Sequence, residues 1–220
     1  MSWNPPATTS LRIFFSLPSI NINPHKTTKN FNIQKLKKRK NLTMKNADLL
    51  LIEPKKDDFS NLIANTTAIK HYYSHVAIVY VDHGNAYVIH AVPNRGVLKQ
   101  SLDEFLSNRE NQRIDLYRVT TDIDSDVVIN RAKKVIGKPY NNLFLNHYDS
   151  FYCSQLVTYA FELENVFHLT PLRFGQNGEI DAKWVNYYHE YERNVPIDEI
   201  GSSPNSLVES KMIRLIKHIQ

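Results

Sequence analysis

The sequence is poor in cysteine, since Cys153 is the only one among 220 residues. A single cysteine excludes an internal disulfide, so nothing in the sequence indicates an oxidising compartment. A long hydrophobic run is also missing, because the apolar segment 11–17 is too short to span a membrane and is followed directly by Pro18. That segment does not resemble a signal peptide either. We therefore expect a cytoplasmic protein without stable membrane insertion.

Acidic residues are absent from the segment 1–43, which carries eight lysines and arginines. The remainder holds the other 19 of the 27 basic residues against all 22 acidic ones, a net charge of −3. A mildly acidic body gives no support to nucleic-acid binding, so nucleic acid is not an expected partner. The segment 1–43, rich in Asn, Thr, Ser, Pro and Lys, is predicted to be a disordered basic arm. Because Met44 directly precedes the first predicted strand, an alternative hypothesis is that the arm is a mis-assigned start.

Residues 44–220 are predicted to form one α+β domain. With 42% hydrophobic residues the chain can bury a real core. Short β-branched runs predict strands at 47–52, 74–81, 86–92 and 114–119, and apolar residues at helical spacing predict helices at 59–73, 102–109 and 124–135. From about residue 165 we expect a helical and aromatic tail, with a terminal helix that begins near Leu207.

The segment around Cys153 is predicted to be a helix that carries the cysteine in its first turn. Asp149 or Ser150 is a suitable N-cap, and apolar residues then recur at helical spacing. Those residues are Leu156, Val157, Ala160 and Phe161. Unpaired N–H groups and the positive end of the helix dipole favour a thiolate and offer donors to an oxyanion. Taken alone, a lone cysteine is more often a small hydrophobic core residue.

Two histidines give this cysteine a possible chemical role. A tight turn at Gly84-Asn85 would join two antiparallel strands, so that His75 and His90 share one face. A cysteine hydrolase needs a thiolate nucleophile, an imidazole that takes and returns a proton, and a polar group that holds the imidazole. Tyr152 either lines the cleft and hydrogen-bonds the oxyanion or packs in the core, and Ser154 offers its backbone N–H.

Seven motifs in a fixed order make the chain similar to a known family. They are Asp-Leu-Leu, Ser-His-Val-Ala-Ile-Val, Val-Ile-His-Ala, Gly-Val-Leu, Leu-Tyr-Arg-Val, Gly-Lys-Pro-Tyr-Asn and Tyr-Cys-Ser-Gln-Leu-Val, between residues 48 and 161. The chain resembles the permuted NlpC-type papain-like cysteine hydrolases, the YiiX/YebB/YaeF group. The resemblance implies a circularly permuted papain-like fold, in which an antiparallel β-barrel or sheet comes first and the catalytic-cysteine helix follows it.

The resemblance also implies roles for individual residues. Cys153 is expected to be the nucleophile, His75 the general base and acid, and His90 the orienting polar residue. The family usually has an acidic residue at the position of His90, an aspartate at that of Asn141 and a glutamate at that of Gln155. A histidine as third member occurs in related NlpC-type enzymes and in the lecithin retinol acyltransferase branch.

A zinc site is the main alternative chemistry. Its candidate ligands are His71, His75, His83, His90 and Cys153. His75 is predicted to begin a strand, so His71 is not expected to share its face, and we predict neither a metal nor a cofactor. The remaining histidines, with no partner pattern, are predicted to be surface or tail residues. They are His147, His168, His189 and His218.

The predicted function is that of a cysteine hydrolase. Its expected substrate is an amide, in a peptide, a small molecule or an aminoacyl or cell-wall conjugate, cleaved through a thioacyl-enzyme intermediate. Two alternatives remain open. One is a lipid acyl hydrolase or acyltransferase of the lecithin retinol acyltransferase type, with the aromatic tail as an apolar lid. The other is a catalytically inactive papain-like binding module.

Overall fold

The computed structural model describes residues 44–220, and the predicted arm 1–43 lies outside the described residues. Six antiparallel strands form one sheet in the order β4-β3-β2-β1-β5-β8. The strands are β1 Leu49–Ile52, β2 His75–Asp82, β3 Asn85–Val92, β4 Gly96–Ser101, β5 Ile114–Val119 and β8 Ile213–His218; β6 Thr170–Pro171 and β7 Ile200–Gly201 form a separate pair. The helices are α1 Asp58–Thr67, α2 Leu102–Ser107, α3 Ser125–Lys134, α4 Cys153–Ala160, α5 Ala182–His189 and α6 Pro204–Leu207, with a 3₁₀ turn at Glu162–Glu164.

The predicted α+β class is confirmed, with five strands of the large sheet preceding the cysteine helix α4. Of the two forms that the sequence left open, the described residues adopt the sheet, because β4 and β8 are edges that do not pair to close a barrel. Within residues 44–220, no helix is long and apolar enough to cross a membrane.

The central strands of the sheet are buried on both faces. Alternate residues of β1 point to opposite sides, with Leu49 and Leu51 in one apolar cluster and Leu50 and Ile52 in another. The first cluster includes side chains of α3 and α4, and the second includes Phe105 and Leu106 of α2. This two-sided burial explains why β1 is an unbroken apolar run rather than an alternating one.

The predicted terminal helix is wrong, because this segment contains the short helix α6 and then the edge strand β8. β8 pairs with β5, with Ile213 opposite Val119 and His218 opposite Asp115. An apolar pattern of this length is ambiguous between helix and strand, and long-range pairing with β5 decides the outcome. His218, predicted to have no partner, lies with its Nδ1 2.6 Å from the Asp115 carboxylate.

Helix α1 is shorter than the predicted span 59–73. It begins after Asp57, whose carboxylate accepts a 2.7 Å hydrogen bond from the Ser60 N–H, and it ends at Thr67. Ala68 is extended, and the Ser74 N–H already donates to the Ile52 carbonyl at 3.0 Å. The chain therefore leaves the helix early in order to enter the sheet as β2.

Candidate active site

Helix α4 begins at Cys153, which lies in its first turn as predicted, but the predicted caps are wrong. Tyr152 is the N-cap, with φ −92° and ψ 168°. The preceding residue, Phe151, is held extended because its N–H donates to the Pro139 carbonyl and its carbonyl accepts from the Asn141 N–H. A helix that began at residue 149 or 150 would break this bridge. Backbone pairing thus sets the position of the cysteine.

Two amide side chains hold the loop that precedes the helix, a role that sequence analysis missed. Asn141 Nδ2 donates to Gln155 Oε1 at 3.1 Å, and Gln155 Nε2 donates to the His147 carbonyl at 2.7 Å. Gln155 Oε1 also accepts from the Tyr152 N–H at 3.3 Å. These are the two positions where the resemblance leads one to expect carboxylates. Both positions hold an amide where the family usually has a carboxylate, and this paired change could have predicted the contact. Two amides can hydrogen-bond to each other, whereas two carboxylates repel.

The Cys153 thiol is buried, with 6% of the residue exposed. Burial raises the pKa of the thiol to about 11, although hydrogen bonds from the backbone N–H groups of Val76, Ser154 and Cys153 itself act in the opposite direction. The N–H groups at the amino end of the helix therefore do act to lower the pKa of the thiol, as predicted. Desolvation outweighs this effect, so the prediction of a favoured thiolate is wrong for this state of the protein.

The structure brings His75 and His90 together. His75 Nε2 lies 2.9 Å from His90 Nδ1, and the His90 ring packs edge-on against Phe105 with centroids 5.1 Å apart. Burial lowers the pKa of both rings. The pKa of His75 lies well below its usual value, and the neighbouring His90 is the second cause after burial. For His90 the pKa falls to about 3 through burial and then the positive charge of Arg109. Both imidazoles are therefore neutral near pH 7.

The thiol and the imidazole pair reach the beginning of β2 from different faces of the sheet. Cys153 packs in the first cluster with Val76, whereas His75 is paired with Ile52 of the second cluster. Adjacent residues of a strand point to opposite sides, so it is the Val76 backbone N–H that meets the sulfur. The hydrogen bonds of these side chains include none between the thiol and the His75 ring. The structure therefore does not bring the predicted nucleophile and the predicted base into hydrogen-bond contact.

A cavity of about 500 Å³ opens beside the thiol. Cys153, Tyr152 and Ser154 all line it, and much of the remaining wall is apolar. The apolar lining includes Ile63, Tyr140, Phe144, Leu172, Phe174 and Trp184. Trp184 belongs to the aromatic segment of the predicted tail, which folds as α5 and packs edge-on against Phe144 with ring centroids 5.6 Å apart. The cavity therefore offers a thiol beside an aromatic wall.

The neighbours of Cys153 both bind the same distant residue. The Tyr152 hydroxyl accepts a 3.3 Å hydrogen bond from the Ser202 N–H, and Ser154 Oγ donates to the Ser202 carbonyl at 2.9 Å. Burial raises the pKa of Tyr152 to about 12, so its hydroxyl is protonated. Sequence analysis missed Ser202 because no local motif marks it.

The five candidate zinc ligands do not gather. His83 lies in the turn between β2 and β3 with 93% of its side chain exposed, and it follows His75 by eight residues along this strand, a rise of about 26 Å. His71 stacks on Tyr73 with centroids 5.9 Å apart. Across residues 44–220 no group of three or more His, Cys, Asp and Glu side chains is arranged to hold a metal ion.

The sheet, the later cysteine helix and the histidine pair define a permuted papain-like protein. The chain belongs to the YaeF/YiiX family of permuted papain-like amidase enzymes, the C92 family, whose model matches residues 43–217. It is therefore a cysteine hydrolase of the amidase class. No curated protein matches the chain.

Among solved structures, the chain is similar to the crystal structure of metalloprotein YiiX from Escherichia coli O157:H7. The TM-score is 0.66 at 20% identity, and the match covers 80% of this chain and 98% of that one. At this identity the likeness confirms the fold, with the permuted order of sheet and helix.

Proposed function

We propose that the chain cleaves the amide bond of a peptide or an aminoacyl conjugate, with Cys153 as nucleophile, His75 as general base and acid, and His90 as the orienting residue. The observation that carries the proposal is the 2.9 Å hydrogen bond between His75 and His90 at the beginning of β2. The next residue of the strand, Val76, is the one whose N–H meets the thiol. An imidazole held by a neighbour at one nitrogen keeps the other for proton transfer.

The tautomers follow from this hydrogen bond. When His75 donates its Nε2–H to His90 Nδ1, the Nδ1 of His75 carries a lone pair and can accept the thiol proton. The neutral state of both rings near pH 7 suits this role. Because the thiol and the His75 ring lie on different faces of the sheet, the proposal requires a rearrangement at the beginning of β2 that brings the ring to the protonated thiol.

The reaction then proceeds in two halves. His75 takes the thiol proton while the sulfur bonds to the carbonyl carbon, and the C=O electron pair moves to the oxygen. The C–N bond breaks as the His75 imidazolium gives its proton to the leaving amine, which leaves a thioacyl enzyme. Water, deprotonated by His75, attacks the thioacyl carbon and releases the acid and the thiol. His90 stabilises the imidazolium by a neutral hydrogen bond, which is weaker than a carboxylate would supply.

Lipid acyl hydrolysis is the second candidate, and the apolar cavity favours it. The aromatic wall formed by Phe144, Phe174 and Trp184 lies in the cavity that Cys153 also lines, and a hydrophobic acyl group would bury well there. Both candidates share the same nucleophile and differ in the bond and leaving group.

A panel of N-acyl amino acid amides, short peptides and lysophospholipids, tested on wild type and Cys153→Ala, separates the two candidates. We expect amide cleavage that Cys153→Ala abolishes. Cleavage of lysophospholipid alone would replace the amide proposal by the lipid one. If iodoacetamide labels Cys153 no faster than a free thiol in the presence of bound substrate analogue and nothing is cleaved, the protein is a binding module.

A further inference from the structure

Two buried side-chain atoms of residues 44–220 have no hydrogen-bond partner, His90 Nε2 and Ser202 Oγ. Buried polar atoms are almost always paired, so each exception calls for an explanation. Ser202 is 4% exposed and lines the same cavity as Cys153. Its hydroxyl completes no hydrogen bond, although it lies close enough to the Tyr152 hydroxyl to act to lower the pKa of that group. It is thus a buried donor in the cavity of the nucleophile that can turn from Tyr152 to a ligand.

The backbone of Ser202 is fixed to the start of the cysteine helix on both sides. Its N–H donates to the Tyr152 hydroxyl and its carbonyl accepts from Ser154 Oγ, and these two residues flank Cys153. The preceding residue, Gly201, packs so closely that a Cβ there would lie 2.5 Å from the Tyr152 hydroxyl. With the backbone held this way, rotation about χ1 alone sets the direction of the Ser202 hydroxyl among three staggered positions.

We propose that the Ser202 hydroxyl is an oxyanion donor, giving a hydrogen bond to the carbonyl oxygen of the scissile bond. The inference rests on the proposed function. As the sulfur–carbon bond forms, the C=O electron pair moves to the oxygen, and Ser202 shares its proton with that oxygen without transferring it. When the C–N bond breaks, the carbonyl re-forms and the leaving amine takes its proton from His75. The N–H of Cys153, at the first position of α4, supplies the second donor.

Tyr152 then becomes a positioning residue rather than the oxyanion donor. Its hydroxyl oxygen receives the Ser202 N–H, so it acts on the reaction through Ser202. Tyr152 and Ser154, the two residues that flank Cys153, then have the same role. Both hold Ser202, which directly follows β7, against the beginning of α4. The same cavity can therefore accept either an amide or an ester carbonyl, because both develop the same oxyanion.

The first test is Ser202→Ala, with Ser107→Ala as the matched control, since Ser107 is an exposed hydroxyl at the end of α2. We expect kcat to fall by about 10²-fold in Ser202→Ala, as for loss of one oxyanion donor, with KM nearly unchanged. Alkylation of Cys153 by iodoacetamide forms no oxyanion and should keep its rate. A kcat equal to that of Ser107→Ala, or an equal loss of kcat and alkylation rate, overturns the proposal.

A second measurement works without turnover. N-acetylphenylalaninal adds to a thiol to give a hemithioacetal, whose oxygen mimics the oxyanion. We expect its affinity to fall in Ser202→Ala by about the factor seen in kcat. Equal affinity in both proteins, or no adduct on wild-type Cys153, overturns the oxyanion assignment. If the adduct weakens in Ser202→Ala while wild type cleaves no member of the amide panel, the assignment stands and the amide proposal fails.

Discussion

Two buried polar clusters flank the same sheet, and they differ in how completely their members are paired. Asp115, fully buried, accepts hydrogen bonds from the Tyr73 hydroxyl at 2.6 Å, His218 Nδ1 at 2.6 Å and Arg113 Nε at 3.2 Å. The other cluster, formed by His75 and His90, has one internal hydrogen bond and leaves His90 Nε2 without a partner.

The pKa directions express the same contrast. Burial acts to raise the pKa of Asp115, but the hydrogen bonds from Tyr73, His218 and Arg113 together lower it, so the carboxylate is stabilised in its charged form. Burial lowers the pKa of His75 and His90, and their mutual contact does not offset it. A buried cluster whose polar atoms are all hydrogen-bonded stabilises the pairing of its strands. A cluster with an unpaired polar atom keeps groups that can exchange protons.

The sharpest test of this contrast replaces one histidine from each cluster. We expect His75→Gln to lower turnover by about 10³-fold or more, because it removes the general base, while the free energy of unfolding changes little. His218→Gln should leave turnover unchanged and lower stability, because it weakens the contact between β8 and Asp115. Steady-state kinetics and urea unfolding on both variants decide the matter. A similar loss of activity in His75→Gln and His218→Gln would show that the two clusters do not have separate catalytic and structural roles.

The next largest effect is expected from Asp115→Asn. An amide presents an N–H₂ group to donors that surround the carboxylate, so we expect a loss of about 3 kcal/mol in the free energy of unfolding. Urea denaturation at pH 7 measures it. Activity per folded molecule should equal that of wild type. A loss below about 0.5 kcal/mol would mean that the Asp115 cluster contributes no more than a surface contact.

The sequence predicted the parts of the fold that depend on local pattern. The β-branched runs of β2 and β3 and the turn at Gly84 are enough to place His75 and His90 on neighbouring strands. The terminal segment could not be predicted this way, because only pairing with β5 makes residues 213–218 a strand. Ser202 was also beyond sequence analysis, since its nearness to Cys153 depends on the path of the whole tail.

The burial of the thiol teaches a related lesson. A helix amino end predicts a favoured thiolate, and the amide groups are there as expected. The sequence does not show how completely packing buries Cys153, and this burial decides whether the pKa of the thiol is raised or lowered. Local electrostatics can be read from a motif, whereas desolvation requires the tertiary structure.

Acid should destabilise the protein through His90. Its folded-state pKa of about 3 lies below the ordinary value of 6.5, so the unfolded chain binds more protons as the pH falls below 6.5. Stability is therefore complete above pH 6.5 and is lost towards pH 3, by about 1.4 kcal/mol per pH unit. Urea unfolding at pH 7, 6 and 5 measures the slope. His90→Gln should flatten it, while an unchanged slope would assign the acid sensitivity to other groups.

The smallest expected effect concerns the unpaired nitrogen of His90. Gln100 lies diagonally across the β3–β4 pairing, with its own partner Val88 two residues from His90. Burial and Arg109 lower the pKa of His90, and the Gln100 side chain acts in the opposite direction, although it completes no hydrogen bond to His90 Nε2. A carbonyl at Nε2–H would favour the tautomer in which Nδ1 accepts from His75.

We therefore expect Gln100→Leu to lower turnover by about three- to tenfold, because it removes the side-chain contact that favours this tautomer of His90, an effect of about 1 kcal/mol. The ¹⁵N chemical shifts of the histidine rings give a readout that simple loss of packing would not move. In wild type His90 Nδ1 should have the shift of an unprotonated nitrogen, and in Gln100→Leu the two tautomers should mix. If His90 already carries its proton on Nδ1 in wild type, it donates to His75, and His75 then cannot be the base through its other nitrogen.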